Sequence, residues 1–180
     1  MIYNYTDLKE KGLNDRKIRK MLDSNELYHI ERGIYSDKEH YDRLELIVKK
    51  YPNAVFTSES AYYYLGLTDY IPKYYFLATK NSIRKIENDK IIQSFVSNNF
   101  FEIGKEEILY SNIKISIYNK ERMLIELIKN RNNLAYDYYK EIIINYRKIS
   151  HDLDLSKINK YLKKLANGDK IFEIIHKEVF

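Results

Sequence analysis

The spacing of apolar residues switches repeatedly between a helical and an extended period along this chain, and the order of the switches predicts an α+β fold. Residues 6–11 read as a short helix with Thr6 as N-cap and Gly12 as its stop. Asn14 is placed to cap a second helix running to Asp23, in which Ile18, Met21 and Leu22 form one apolar stripe. Arg16, Arg19 and Lys20 cannot share that stripe and face outward, with Lys17 beside them. From Leu27 to Tyr35 two β-prone stretches hinge at Arg32 and Gly33, a hairpin whose tight turn needs a positive φ. Helix, turn, basic helix and hairpin in this order predict a winged helix-turn-helix over residues 1–37. The usual motif has another helix ahead of the first, and the five residues before Thr6 are too few for it. The module is therefore expected to have a truncated first helix: either the C-terminal domain completes its core or the motif is degenerate.

Tyr41, Leu44, Ile47 and Val48 mark one face of a helix that ends at Tyr51-Pro52, because proline disfavours helical geometry in the residue before it. Residues 38–52 are thus expected to connect the module to a second domain over residues 53–180. That domain opens with a strand at Val55-Phe56, Thr57 as N-cap, and a helix from Ser58 to Leu65 stopped by Gly66. Strands are predicted from Tyr74 to Ala78, Ile91 to Val96 and Ile113 to Tyr118. In the last, Ile113, Ile115 and Ile117 alternate with polar neighbours, as in a small, half-buried mixed sheet. From Asn119 onward the period is helical: Met123, Leu124, Leu127 and Ile128 form one stripe, and Tyr139, Ile142, Ile143 and Tyr146 a second. Leu155, Ile158, Leu162 and Leu165 make a third, so three or four helices are expected to close the chain as a bundle. The third stripe leaves Lys157, Lys160, Lys163 and Lys164 on one side, either an ordinary solvated face or a secondary surface for phosphates.

Composition changes this picture little. The formal net charge of +5, from 31 basic and 26 acidic residues, favours polyanionic partners without requiring them. Residues 1–50 hold 11 basic and 10 acidic side chains, so the placement of Arg16, Lys17, Arg19 and Lys20 carries the signal, and a plain structural scaffold stays open. The absence of cysteine removes disulfides and thiolate chemistry and suits a reducing compartment. No uncharged apolar run reaches the roughly 18 residues a membrane helix needs, and residues 1–10 lack the apolar core of a signal peptide, so no membrane partner and a cytoplasmic location are expected.

Three segments carry a family resemblance. Glu26-Leu27-Tyr28-His29-Ile30-Glu31-Arg32-Gly33-Ile34-Tyr35 resembles the wing of AbiEi-type antitoxins, in which a leucine, an Arg-Gly pair and a following tyrosine recur. The run Tyr51 to Ala61, with Gly66-Leu67-Thr68-Asp69 and Ile71-Pro72, looks like the strand, helix and loop that open that family's C-terminal domain, and Ile117 to Arg131 resembles its strand-to-helix segment. Histidines frequent in the family near the positions of Ser58 and Leu65 have no counterpart here. The resemblance spans nearly the whole chain. It implies a DNA-binding antitoxin that represses its own operon and counters a nucleotidyltransferase-like toxin encoded beside it, with direct toxin contact left open. The DNA-binding residues expected are Arg16, Lys17, Arg19, Lys20 and Arg32, read by two copies on an inverted repeat of double-stranded DNA. The alternative is an antitoxin that masks its toxin directly and keeps only a vestigial DNA-binding module.

Catalytic patterns are not found. His29, His40, His151 and His176 are scattered, with no metal-binding spacing, and the five glycines form no phosphate-cradling loop. His151-Asp152-Leu153-Asp154 reads as the capped start of a helix in preference to an acid/base cluster. Ser58-Glu59-Ser60 with Tyr62 to Tyr64 is either a partner surface or a helix start with core aromatics, and Glu121-Arg122 is either a buried ion pair or a functional patch. No catalytic residue, cofactor or metal is expected, and an enzyme is the third reading.

Overall fold

The computed structural model describes all residues, Met1–Phe180, and has a mixed α+β fold with a three-stranded and a five-stranded sheet. The chain divides into two compact units, Met1–Pro52 and Asn53–Phe180.

The first unit begins with a strand that is too short to show a period, β1 (Ile2–Asn4), followed by α1 (Tyr5–Glu10) and α2 (Asp15–Asp23). The expected N-cap Thr6 lies inside α1, and the cap is Asn4. Its side chain accepts from the Asp7 N–H at 2.8 Å while the Asp7 carboxylate accepts from the Asn4 N–H at 2.6 Å, a reciprocal box. Thr6 has no such partner, because Lys9 stands three residues on and offers no acceptor. Asn14 caps α2 as the spacing predicts, accepting from the Lys17 N–H at 2.9 Å. The hairpin β2 (Tyr28–Glu31) and β3 (Ile34–Ser36) turns through Arg32 and Gly33, where φ is +75°, and β3 also pairs with β1 to give the antiparallel order β1-β3-β2. Leu8, Ile18 and Leu27 form one buried cluster of the unit, with Tyr3, Leu13, Met21, Leu22 and Tyr35 against it, and Ile2 and Ile34 are buried as well.

The helix expected to connect two domains, α3 (Arg43–Lys50), belongs to this first unit. It is capped by Asp42, packs on β1 and buries Leu44 and Ile47. Glu45 accepts from the Ile2 N–H at 2.8 Å, Lys49 pairs with Asp7 at 2.5 Å, and Lys50 pairs with Glu31 at 2.6 Å. These bonds tie α3 to β1, α1 and β2. A third helix thus comes from behind the hairpin.

The second unit contains β4 (Val55–Phe56), α4 (Ser58–Tyr64), β5 (Tyr75–Lys80), β6 (Ile91–Val96), α5 (Asn98–Phe101), β7 (Lys105–Tyr110) and β8 (Ile113–Tyr118). Their sheet has the order β6-β5-β4-β8-β7, with parallel pairs β5–β6 and β4–β8 and antiparallel pairs β4–β5 and β7–β8. Strand β7 and helix α5 were not visible in the periodicity. The β7–β8 hairpin turns at Ser111 and Asn112, both at positive φ as a type I′ turn requires. Four helices follow: α6 (Lys120–Asn130), α7 (Tyr136–Lys148), α8 (Leu155–Leu162) and α9 (Gly168–Glu178). Helix α6 is central; it packs on α4, α8 and α9 and is buried from Glu121 to Ile128 except for the half-buried Glu126. Ile115, Ile117, Leu124 and Leu127 are fully buried, in line with the β8 and α6 stripes. Leu155 departs from its expected stripe and is 44 % exposed, because it is the first residue of α8 and Asp154 before it is the cap. No helix is long and apolar enough to cross a membrane.

Candidate functional site

The cations expected to meet DNA lie together on the first unit. Arg16, Lys17, Arg19 and Lys20 are all exposed on α2, opposite the buried Ile18. None of the four side chains is held in an ion pair or side-chain hydrogen bond within the chain. Their acidic neighbour Asp15 is already engaged: Lys9 pairs with it at 2.7 Å and the Tyr5 hydroxyl donates to it at 2.5 Å. Those two hydrogen bonds, with the charges of Lys9 and Arg19, hold the Asp15 carboxyl below its usual range. Arg32 is exposed at the hairpin turn, also without an ion pair. Four unpaired cations along nine helical residues, and a fifth at a turn, offer a positive surface that no internal partner uses.

Lys157, Lys160, Lys163 and Lys164 are all exposed, the first two on α8, Lys163 as its C-terminal cap in helical geometry and Lys164 just after it. Lys164 also borders a cavity of ≈ 720 Å³ in the second unit, together with Ser58, Phe100, Arg122, Glu126 and Lys129.

Arg122 is the buried charged residue of that cavity, at 2 % exposure. Of the two readings of Glu121-Arg122, a mutual ion pair does not form: Arg122 pairs with Glu126, one helical turn on, at 2.8 Å, while Glu121 accepts from the Asp154 N–H at 3.1 Å. The reason is helical geometry, since side chains four apart meet and adjacent ones diverge. The guanidinium lies 3.4 Å from the Phe100 ring centroid and donates to the Phe100 carbonyl at 3.4 Å, while its Nε is buried without a partner. Burial lowers the Arg122 pKa against the opposing pull of Glu126, and burial raises that of the Tyr118 phenol beside it. Glu126 also accepts from Lys129, so its single charge is shared between two cations. Ser58, the first residue of α4, holds a φ of +46°, a strained conformation for a residue with a side chain. Glu121-Arg122, Ser58 and Lys164 each stand out in the sequence for separate local reasons, but nothing local in it indicates that Arg122, Ser58 and Lys164 border one cavity.

The remaining candidates resolve as structural features. Asp154 caps α8, accepting from the Ser156 and Lys157 N–H groups at 2.9 and 3.1 Å. His151 and Asp152 are exposed, 3.4 Å apart. Of the two readings of Tyr62 to Tyr64, core aromatics describes Tyr62, which is buried at 3 % with its hydroxyl donating to the Met123 carbonyl at 3.3 Å; Tyr63 and Tyr64 are half-buried. No group of three or more His, Asp and Glu side chains is arranged to hold a metal ion. In comparisons with known proteins, the chain matches no protein-family model and no curated protein sequence.

Proposed function

We propose that this chain is a DNA-binding antitoxin of the AbiEi kind, a non-enzymatic cytoplasmic repressor of its own operon that counters a nucleotidyltransferase-like toxin encoded beside it. The observation that carries the DNA-binding half is the set of exposed, unpaired cations on α2, the second helix of a helix–turn–helix step, with Arg32 on the adjoining hairpin. In this reading α2 enters the major groove, the hairpin is the wing, and α3 takes the place of the helix that the usual motif carries ahead of its first. Arg16 and Arg19 read base edges, Lys17 and Lys20 hold phosphates, and Arg32 reaches backbone or minor groove. The toxin half rests on the family resemblance alone.

One α2 of nine residues rises about 14 Å and spans a single half-site. Operator recognition then uses two copies on an inverted repeat with half-sites about 34–36 Å apart. Binding of the full chain to its own upstream DNA is expected to exceed binding to a scrambled duplex and to fall with salt, by a log–log slope of about −0.9 for each phosphate neutralised. Lys17→Ala should reduce that slope by about 1 while leaving sequence preference intact. Salt-sensitive binding without preference for the upstream DNA would remove the repressor assignment. A stable toxin complex with no DNA binding would favour the masking antitoxin.

A further inference from the structure

The cavity beside Arg122 is not used by the DNA-binding reading, and its chemistry is specific. Three cations border it, Arg122, Lys129 and Lys164, against one carboxylate, Glu126, whose charge is already taken up by Arg122 and Lys129. Arg122 is itself almost fully buried and fixed in place by stacking on Phe100, and its Nε hydrogen-bond donor has no partner. Lys164 has no ion pair at all. A buried guanidinium that served only to pin α6 to α5 would need no further cations around it. Here two lysines from α6 and from the segment after α8 are brought to the same cavity. Neutral donors border the same space: the hydroxyl of Ser58, held at its strained φ, and the amides of Asn99 and Asn130. Such a set of preorganised donors with excess positive charge suits a phosphate group.

The rest of the cavity sets the size and the other end of the ligand. Its ≈ 720 Å³ lies within the usual range of small-molecule sites, about 300–1,000 Å³. Phe95, on the edge strand β6, borders it and is 50 % exposed, an apolar ring that no other ring in the chain covers. Stacking on an aromatic face is how a base is held without reading its sequence.

We propose that this cavity binds a free mononucleotide, with its phosphates against Arg122, Lys129 and Lys164 and its base on Phe95. The test uses the full chain, with calorimetric titration of ATP, GTP, CTP, UTP, pyrophosphate and adenosine at one ionic strength. At least one nucleotide is expected to bind more tightly than pyrophosphate, and adenosine not to bind measurably. Lys129→Ala combined with Lys164→Ala alters only exposed side chains, so the fold is retained, and it should weaken nucleotide binding tenfold or more. Phe95→Ala should weaken the nucleotide and leave pyrophosphate unchanged. No nucleotide binding, pyrophosphate as tight as every nucleotide, or binding indifferent to the lysine pair would each overturn the proposal. Nucleotide binding that disappears instead in Arg16→Ala, Arg19→Ala would place the phosphates on the DNA face and overturn it as well; loss of DNA binding in that variant with nucleotide binding intact would keep the two sites separate.

Discussion

A methyl group added at Gly104 would lie 2.6 Å from the Arg122 Cβ and 2.9 Å from the Asn119 Oδ1, on a backbone whose φ is +72°. Gly33 has nearly the same backbone, at +75°, with nothing within 4 Å of the added group. The two positions separate conformational strain from packing. Gly33→Ala should cost about 1–2 kcal/mol, the ordinary penalty of the left-handed region. Gly104→Ala should cost about 1–3 kcal/mol more, because Asn119 caps α6 and neither it nor the buried arginine can move aside freely. Urea midpoints of the two variants measure the difference, and equal midpoints would mean that the surroundings of Arg122 yield. Arg16 and Arg19, by contrast, touch nothing whose loss would unfold the chain, so their substitution should change stability by no more than about 0.5 kcal/mol.

Among the elements, α3 shows what an apolar period does and does not reveal. Leu44 and Ile47 announced a helix, and Tyr51-Pro52 its end, but the surface that the helix covers is set by pairings far away in sequence: the Ile2 N–H to Glu45 and Lys49 to Asp7. Strand β1 was invisible for the same reason, since three residues have no period and its partner is residues 34–36. Strand β7 was missed because, at an edge, it carries Lys105, Glu106 and Glu107 in succession and leaves Leu109 70 % exposed, so neither face is marked. Caps and strongly periodic runs, Asn14 with α2 and Ile113 to Ile117 in β8, were legible because their determinants are local. The same division holds for the sites: the outward cations of α2 follow from helical spacing, whereas the cavity depends on Lys164 reaching the neighbourhood of Ser58 and Arg122.

The link between α1 and α3 carries a pH dependence. Burial draws the Asp7 carboxyl upward, but the Lys49 hydrogen bond, the Asn4 N–H and the charges of Lys49 and Lys11 outweigh it and leave the pKa lowered. The folded chain therefore binds this proton less readily than the unfolded one. The resulting stability is present in full above the ordinary aspartate value of about 3.9 and is lost as the pH falls through the folded value. Asp7→Asn should lower the urea midpoint at pH 7 and lose less of it on going to pH 2.5 than the parent chain. Parallel acid limbs would show that the α1–α3 contact contributes nothing.

At the scale of the whole molecule, the two units each have a core and each present positive charge in a different form: along α2 and at Arg32 in the first, around the open cavity beside Arg122 in the second. A net charge of +5 would attract any polyanion weakly, so the claim that matters is which cations do the binding. The decisive measurement is the affinity of the chain for its own upstream DNA, compared between Arg16→Ala, Arg19→Ala and Lys157→Ala, Lys160→Ala. Both variants remove two exposed positive charges, so non-specific attraction falls alike. If α2 is the reading helix, the arginine variant loses about tenfold or more in affinity, along with its preference over scrambled DNA, while the lysine variant keeps that preference. Equal losses in the two variants, or a greater loss in the lysine variant, would contradict the assignment of α2 as the DNA-reading element.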